Sequence, residues 1–153
     1  MSAVLQPLHR MELMRESDLG AVAEIERRIY PFPWTVGNFR DSIRAGYNCW
    51  TCRDRDRLIG YAVMMLAADE AHLLNLSIDS PSQRQGHGTR LLQHLTGTAR
   101  EYGARVLFLE VRPSNEAGIA LYARHGFRQI GVRRDYYPAH DGRENALVFS
   151  AEL

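Results

Sequence analysis

The stretch SIDSPSQRQGHGTRLLQHL, residues 77–95, decides the fold. An apolar run, HLLNLSI at residues 72–78, ends in a polar turn, and Gly86 and Gly88 then open an amphipathic helix. A helix N-terminus presents unpaired backbone N–H groups and the positive end of the helix dipole, which suits an anion. Glycines there let the backbone approach a bulky group without a Cβ in the way. Arg84 adds charge and hydrogen-bond donors, so the run predicts a phosphate cradle from Arg84 to Thr89. By themselves the same residues also suit a tight strand-to-helix turn with no ligand. No Gly-Lys-Ser or Gly-Lys-Thr of a Walker loop occurs, and Leu91 stands where a dinucleotide fingerprint needs its third glycine.

Working outward, Asp18 is placed to cap a helix with Leu19, Val22, Ile25 and Ile29 on one face, stopping near Tyr30 before Pro31 and Pro33. Thr35 can cap a second helix carrying Val36, Phe39 and Ile43, with Gly46 as its stop. Strands are predicted over YNCWTC and RLIGYAVMML, with RDRDR as a solvated hairpin tip between them, and then over AHLLNLSI. The helix after the glycines puts Leu91, Leu92, Leu95, Ala99 and Tyr102 on its inner stripe and ends at Gly103. RVLFLEV is apolar on both faces and therefore central. NEAGIALYARHG is a helix capped by Ser114 or Asn115, and FRQIGVRRDYY and ENALVFSAEL form a closing hairpin turned at Asp141-Gly142. The order αα, βββ, αβα, ββ implies one α/β domain over residues 1–153, with a mixed sheet and helices on both faces.

A chain of 153 residues with 45% hydrophobic and 24% charged residues has the composition of a soluble globular domain. A formal net charge of +1 offers no bulk attraction to nucleic acid or membrane, so neither is an expected partner. No apolar run approaches the ~20 residues of a membrane span, and MSAVLQPLHRMELM lacks an apolar leader core. A cytoplasmic, monomeric enzyme or binding domain is the expectation. Cys49 and Cys52 spell C-x-x-C, but in a strand, where residues three apart point to opposite faces. Neither they nor the six scattered histidines show metal-ligand spacing, so no metal is expected.

Gln83-Arg84-Gln85-Gly86-His87-Gly88 resembles the Q/R-x-x-G-x-G/A motif of the GNAT superfamily of N-acetyltransferases, where that motif holds the pyrophosphate of acetyl-coenzyme A. AHLLNLSID, LFLEVRPSN, ALYARHGF and RRDYYPAHDGRENA are similar to the bacterial ribosomal-protein alanine N-acetyltransferase branch, and the likeness runs from about Leu13 onward. The resemblance implies a single-domain GNAT fold, its mostly antiparallel sheet splayed at the centre. Acetyl-coenzyme A is the implied co-substrate. The backbone of Leu76, Ser77 and Ile78 is expected to pair with its pantetheine arm, and Arg84, Gln85, Gly86, His87, Gly88 and Thr89 to hold its phosphates. The implied substrate is the N-terminal α-amine of a protein: the alanine that begins small-subunit ribosomal protein eighteen. Acetylation of a small amine or a lysine side chain, and a silent coenzyme A-binding domain, are the competing readings.

Transfer to an amine needs a neutral nucleophile and a proton for the departing thiolate. A peptide α-amine ionises at about 7.7–8.0, so roughly a tenth is neutral at pH 7, and a carboxylate base suffices. Glu110 ends the apolar strand RVLFLEV, where it is either paired, with Arg112 as the candidate partner, or functional with a pKa raised by burial. The resemblance assigns it as proton acceptor. Tyr122 lies seven residues after Asn115, about two turns on and within roughly 20° of the same helical face. A lone tyrosine there is ordinarily core; the resemblance makes Tyr122 the proton donor and gives Asn115 a contact to coenzyme A. Phe32, Pro33 and Trp34 are implied as one wall of the acceptor groove, with Tyr136 and Tyr137 covering the peptide. The alternatives are a plug between helices and edge-strand packing. Asn145 departs from the family pattern, which has an acid at that position, and His87 replaces a more usual leucine.

Overall fold

A computed structural model describes residues 9–153. The first eight positions of the expected domain, part of the stretch read as lacking an apolar leader core, lie outside the described residues. Among the described residues the chain runs β1 (His9–Leu13), α1 (Leu19–Ile29), α2 (Val36–Arg44), β2 (Asn48–Asp54), β3 (Arg57–Ala67) and β4 (Glu70–Ile78). It continues through α3 (His87–Glu101), β5 (Val106–Val111), α4 (Glu116–Arg124), β6 (Arg128–Ala139) and β7 (Gly142–Glu152). The strands form one sheet in the order β1-β2-β3-β4-β5-β7-β6, antiparallel except where β4 and β5 run parallel around α3. This is the expected mixed, mostly antiparallel sheet, with an edge strand that sequence reading missed. β1 is only five residues, HRMEL, and its charges read as loop; Arg10 and Glu12 instead pair with each other along the exposed edge at 2.9 Å.

Local chemistry sets the helix ends. Tyr30 closes α1 in an extended conformation (φ −124, ψ 136), as the residue before a proline must. Thr35 and Asn38 exchange side-chain-to-backbone hydrogen bonds at the start of α2, a capping box. Asp18 stands at the N-cap of α1 but does not cap it: its carboxylate accepts from the Arg15 N–H and from Arg53 Nη2 instead. Tyr102 is not part of the inner stripe of α3. It is the C-cap, where the backbone leaves the helix, and its side chain is 65% exposed.

Two apolar layers flank the sheet. α3 and α4 bury Leu91, Leu92, Leu95, Ala99 and Tyr122 against Met64, Leu73, Leu107 and Leu109, each leucine contributing about 1.5–3 kcal/mol. α1 and α2 bury Leu19, Val22, Ile25 and Phe39 against Tyr61 and Val63 on the other face. Cys49 joins that second layer, and both thiols are buried. Burial lifts each to about 11, leaving them protonated and inert.

The sheet opens at its centre. β4 pairs with β5 only from Glu70↔Val106 to Leu73↔Leu109, while it stays paired with β3 to Gly60↔Ile78. The divergence begins at a bulge: Met64 opposes Leu73 and Val63 opposes Asn75, so Leu74 is the extra residue. From Leu74 to Ile78 the β5 side of β4 has no strand partner. Gly60 lets the freed end lie close, since a Cβ there would sit 2.8 Å from the Ser77 carbonyl and 2.6 Å from Ile78 Cδ1.

Candidate active site

Two clefts meet in the gap between β4 and β5. The larger, about 410 Å³, is bordered by Leu76, Ser77 and Ile78 of β4, by Arg84, Gly86, Gly88 and Thr89 at the start of α3, and by one face of α4. The smaller, about 300 Å³, is bordered by Glu110, Arg112, Phe32, Trp34 and Tyr137. Tyr30, Leu76, Asn115 and Tyr122 line both, so they form the junction.

The start of α3 is built for an anion. Its N-cap is Gly86 (φ 82), which has no side chain to cap the first turn, and no acidic residue lies there. α4, on the opposite wall, is capped by its own Asn115, whose Oδ1 accepts from the Gly118 N–H at 3.0 Å. Arg84 is also left-handed (φ 62), a conformation costing a non-glycine residue on the order of 1–3 kcal/mol. Gln83 steadies the turn by donating from Nε2 to the Ile78 carbonyl at 2.8 Å. The Gln85 side chain turns back to the Pro81 carbonyl, and His87 is buried against His9 and Arg90 rather than facing the cleft. Only the backbone of these two can serve a ligand here. Arg124 on α4 adds a second cation to the cleft wall; nothing in the spacing of the helix distinguishes it from a solvated arginine.

The unpaired stretch Leu74–Ile78, ending beside an uncapped helix, is the shape a pantetheine arm and its diphosphate require: backbone groups to pair with the arm and N–H groups to meet the phosphates.

In the smaller cleft Glu110 is not paired with Arg112. Its Oε2 lies 2.5 Å from His72 Nε2 and its Oε1 3.4 Å from Arg133 Nε. Burial pushes its pKa up, but the hydrogen bond and charge of His72, with Arg133 behind, outweigh burial and hold it below the ordinary 4.5. The upward shift expected from burial is thus reversed. Arg112 bonds Glu144 and the Pro138 carbonyl, and its guanidinium lies 4.3 Å over the Tyr137 ring. Tyr122 is 7% exposed, and burial drives its phenol well above 10. Among the described residues no hydrogen bond engages its hydroxyl, which stays protonated and free to donate.

Of the aromatic residues expected around the acceptor, Phe32, Trp34 and Tyr137 line the cleft. Pro33 is exposed on the far side of its loop. Tyr136 points outward, 43% exposed and beside Arg133, while Tyr137 next to it faces the cleft; Arg134, Asp135 and Tyr136 bulge opposite Asn145. Asn145 accepts from the Asp135 N–H at 2.9 Å and so fastens this bulge.

Sequence reading passed over two residues that shape the site. Glu26 is 2% exposed and accepts from Tyr61, Asn75 and the Trp34 backbone. Tyr30 bonds Ser77 at 2.7 Å, and burial first, then Glu26, raises its phenol to about 12. Both sit on a helix face that reads as ordinary amphipathic surface until the loop and β4 pack over it.

Residues 19–127 match the profile of the acetyltransferase (GNAT) family. The chain belongs to that family. Acetyl-coenzyme A is the donor GNAT enzymes use. The bS18-alanine N-acetyltransferase of Escherichia coli K12 is 36% identical over 146 residues, covering 95% of this chain and 99% of that one. The Haemophilus ducreyi protein of the same name is 36% identical over 144 residues, covering 94% and 99%. The crystal structure of the Escherichia coli ribosomal-protein-S18-alanine N-acetyltransferase superposes with a TM-score of 0.88, covering 95% of this chain and 94% of that one at 36% identity. Among the described residues no helix is long and apolar enough to cross a membrane, and no group of three or more His, Cys, Asp or Glu is placed to hold a metal.

Proposed function

We propose that this chain is a single N-acetyltransferase domain that acetylates the N-terminal α-amine of a protein. Its target is an alanine N-terminus, that of ribosomal protein bS18. The observation that carries the reading is the meeting of the two clefts at Leu76, Asn115 and Tyr122, with Glu110 in the acceptor cleft. Near-full-length similarity to two bS18-alanine N-acetyltransferases supports the choice of amine.

When bound, acetyl-coenzyme A supplies an activated acetyl thioester at the junction. The chain's residues then divide the work. Backbone N–H groups of Leu76–Ile78 orient the acyl end and one polarises its carbonyl, while the first turn of α3 and Arg84 hold the phosphates. Phe32, Trp34 and Tyr137 hold the first peptide residues and exclude water. Glu110 accepts the proton that the attacking amine loses on forming its bond to the acyl carbon. Tyr122 delivers a proton to the sulfur as the carbon–sulfur bond breaks. With its pKa depressed, Glu110 cannot strip an ammonium; it serves the neutral tenth or so of an α-amine, whereas a lysine offers only about four parts in ten thousand.

The test is incubation with acetyl-coenzyme A and a synthetic peptide beginning with alanine and followed by arginine and tyrosine, with polyamines and an N-blocked lysine peptide as parallel acceptors. Mass spectrometry should locate one acetyl group on the α-amine. Acetylation confined to the lysine or the polyamine overturns the assignment.

A further inference from the structure

Glu110 stands between two cavities. One is the acceptor cleft; the other, about 220 Å³ and behind the carboxylate, is lined by His72, Glu70, Phe108 and Arg133. We propose that His72 is the positioning residue for Glu110: its ring nitrogen fixes the carboxylate that takes the amine proton. The inference rests on the reading of Glu110 as proton acceptor.

Nε2–H of His72 donates to Oε2 of Glu110, fixing the carboxylate while leaving lone pairs toward the amine. Only 8% of the Glu110 side chain and 26% of the His72 side chain are exposed, so the contact is largely shielded from water. The groups facing His72 are Glu110 from β5, Arg133 from β6 and Glu70 on its own strand; β3 and β7 contribute Met65, Ala67 and Val148. Arg133 reaches only the other carboxylate oxygen, at 3.4 Å, so His72 is what fixes Oε2. The amine proton goes to Glu110 and then to water, and the His72 contact is kept throughout.

The test is kcat and KM toward the alanine peptide for wild type, His72→Gln, His72→Asn, His72→Leu and Glu110→Gln, each checked for folding by circular dichroism. His72→Leu, which removes the N–H donor, should lower kcat by roughly ten- to a hundredfold with peptide KM little changed. His72→Gln or His72→Asn, which keep a donor, should recover most of that loss. Wild-type kcat in a folded His72→Leu, or no recovery in either amide variant, would overturn the positioning role. Full activity of Glu110→Gln would instead remove Glu110 as the base, a separate failure.

Discussion

Leu73 is the last residue of β4 to face a partner on β5, and that partner is Leu109. One residue later the strand bulges and β4 and β5 part, so both clefts and the place of Glu110 follow from where a single ladder stops. Glu110 is the next residue on β5, directly beyond the parting point. Tyr122 on α4 lines the same gap.

Gly60 holds the freed end of β4 in place from behind. In Gly60→Ala the added methyl meets the Ser77 carbonyl at 2.8 Å, and backbone must yield. The expected result is a loss of about 1–3 kcal/mol in stability, together with weaker acetyl-coenzyme A binding in calorimetry. Unchanged affinity would show that Ser77 does not set the cleft.

Tyr122→Phe removes only a hydroxyl with no protein partner among the described residues, so folding and acetyl-coenzyme A affinity should be preserved. A general acid accounts for roughly 10²–10⁴ in rate, and kcat should fall within that range. Unchanged turnover takes Tyr122 out of the mechanism.

Asn145→Asp restores the acid found in the family pattern, yet the side chain faces the Asp135 N–H and not the cleft. The aspartate keeps an acceptor, and stability should stay within about 0.5 kcal/mol. Asn145→Ala loses the bond and should cost about 1 kcal/mol. Thermal melts decide between them, and peptide KM for Asn145→Asp should not move. The neighbouring Glu144 is already engaged by Arg112 and Ser114.

Stability should fall in two stages on acidification. His87 and His94 have pKa values lowered by burial, Arg90 assisting at His87, so the unfolded chain takes up their protons first as pH drops below about 6.5. Glu110 and Glu144 are depressed, burial opposing their hydrogen-bonding partners, so their contribution is intact above 4.5 and is lost below it. Urea midpoints from pH 8 to 3 should show both declines; a flat response between 7 and 5 would contradict the buried histidines.

Much of this was legible in the residues. Thr35 as a cap, Tyr30 before Pro31, and the glycines at 86 and 88 are local signals, and the structure follows them. What spacing could not show are consequences of tertiary pairing. β1 is strand only because β2 offers an edge, and of the adjacent Tyr136 and Tyr137 only the second faces the cleft. Glu110 is lowered rather than raised because His72 arrives from a neighbouring strand 38 positions away in sequence. Arg112, two residues away, is drawn off by Glu144.

The most direct measurement is amide hydrogen exchange with and without acetyl-coenzyme A. Binding should slow exchange at Leu76, Ser77 and Ile78 and at Gly86 to Thr89, with little change at the hairpin tip around Arg55. Binding that leaves those amides unprotected, or that protects only β1 and β2 instead, would mean that the opened strand and the uncapped helix do not hold the acetyl donor.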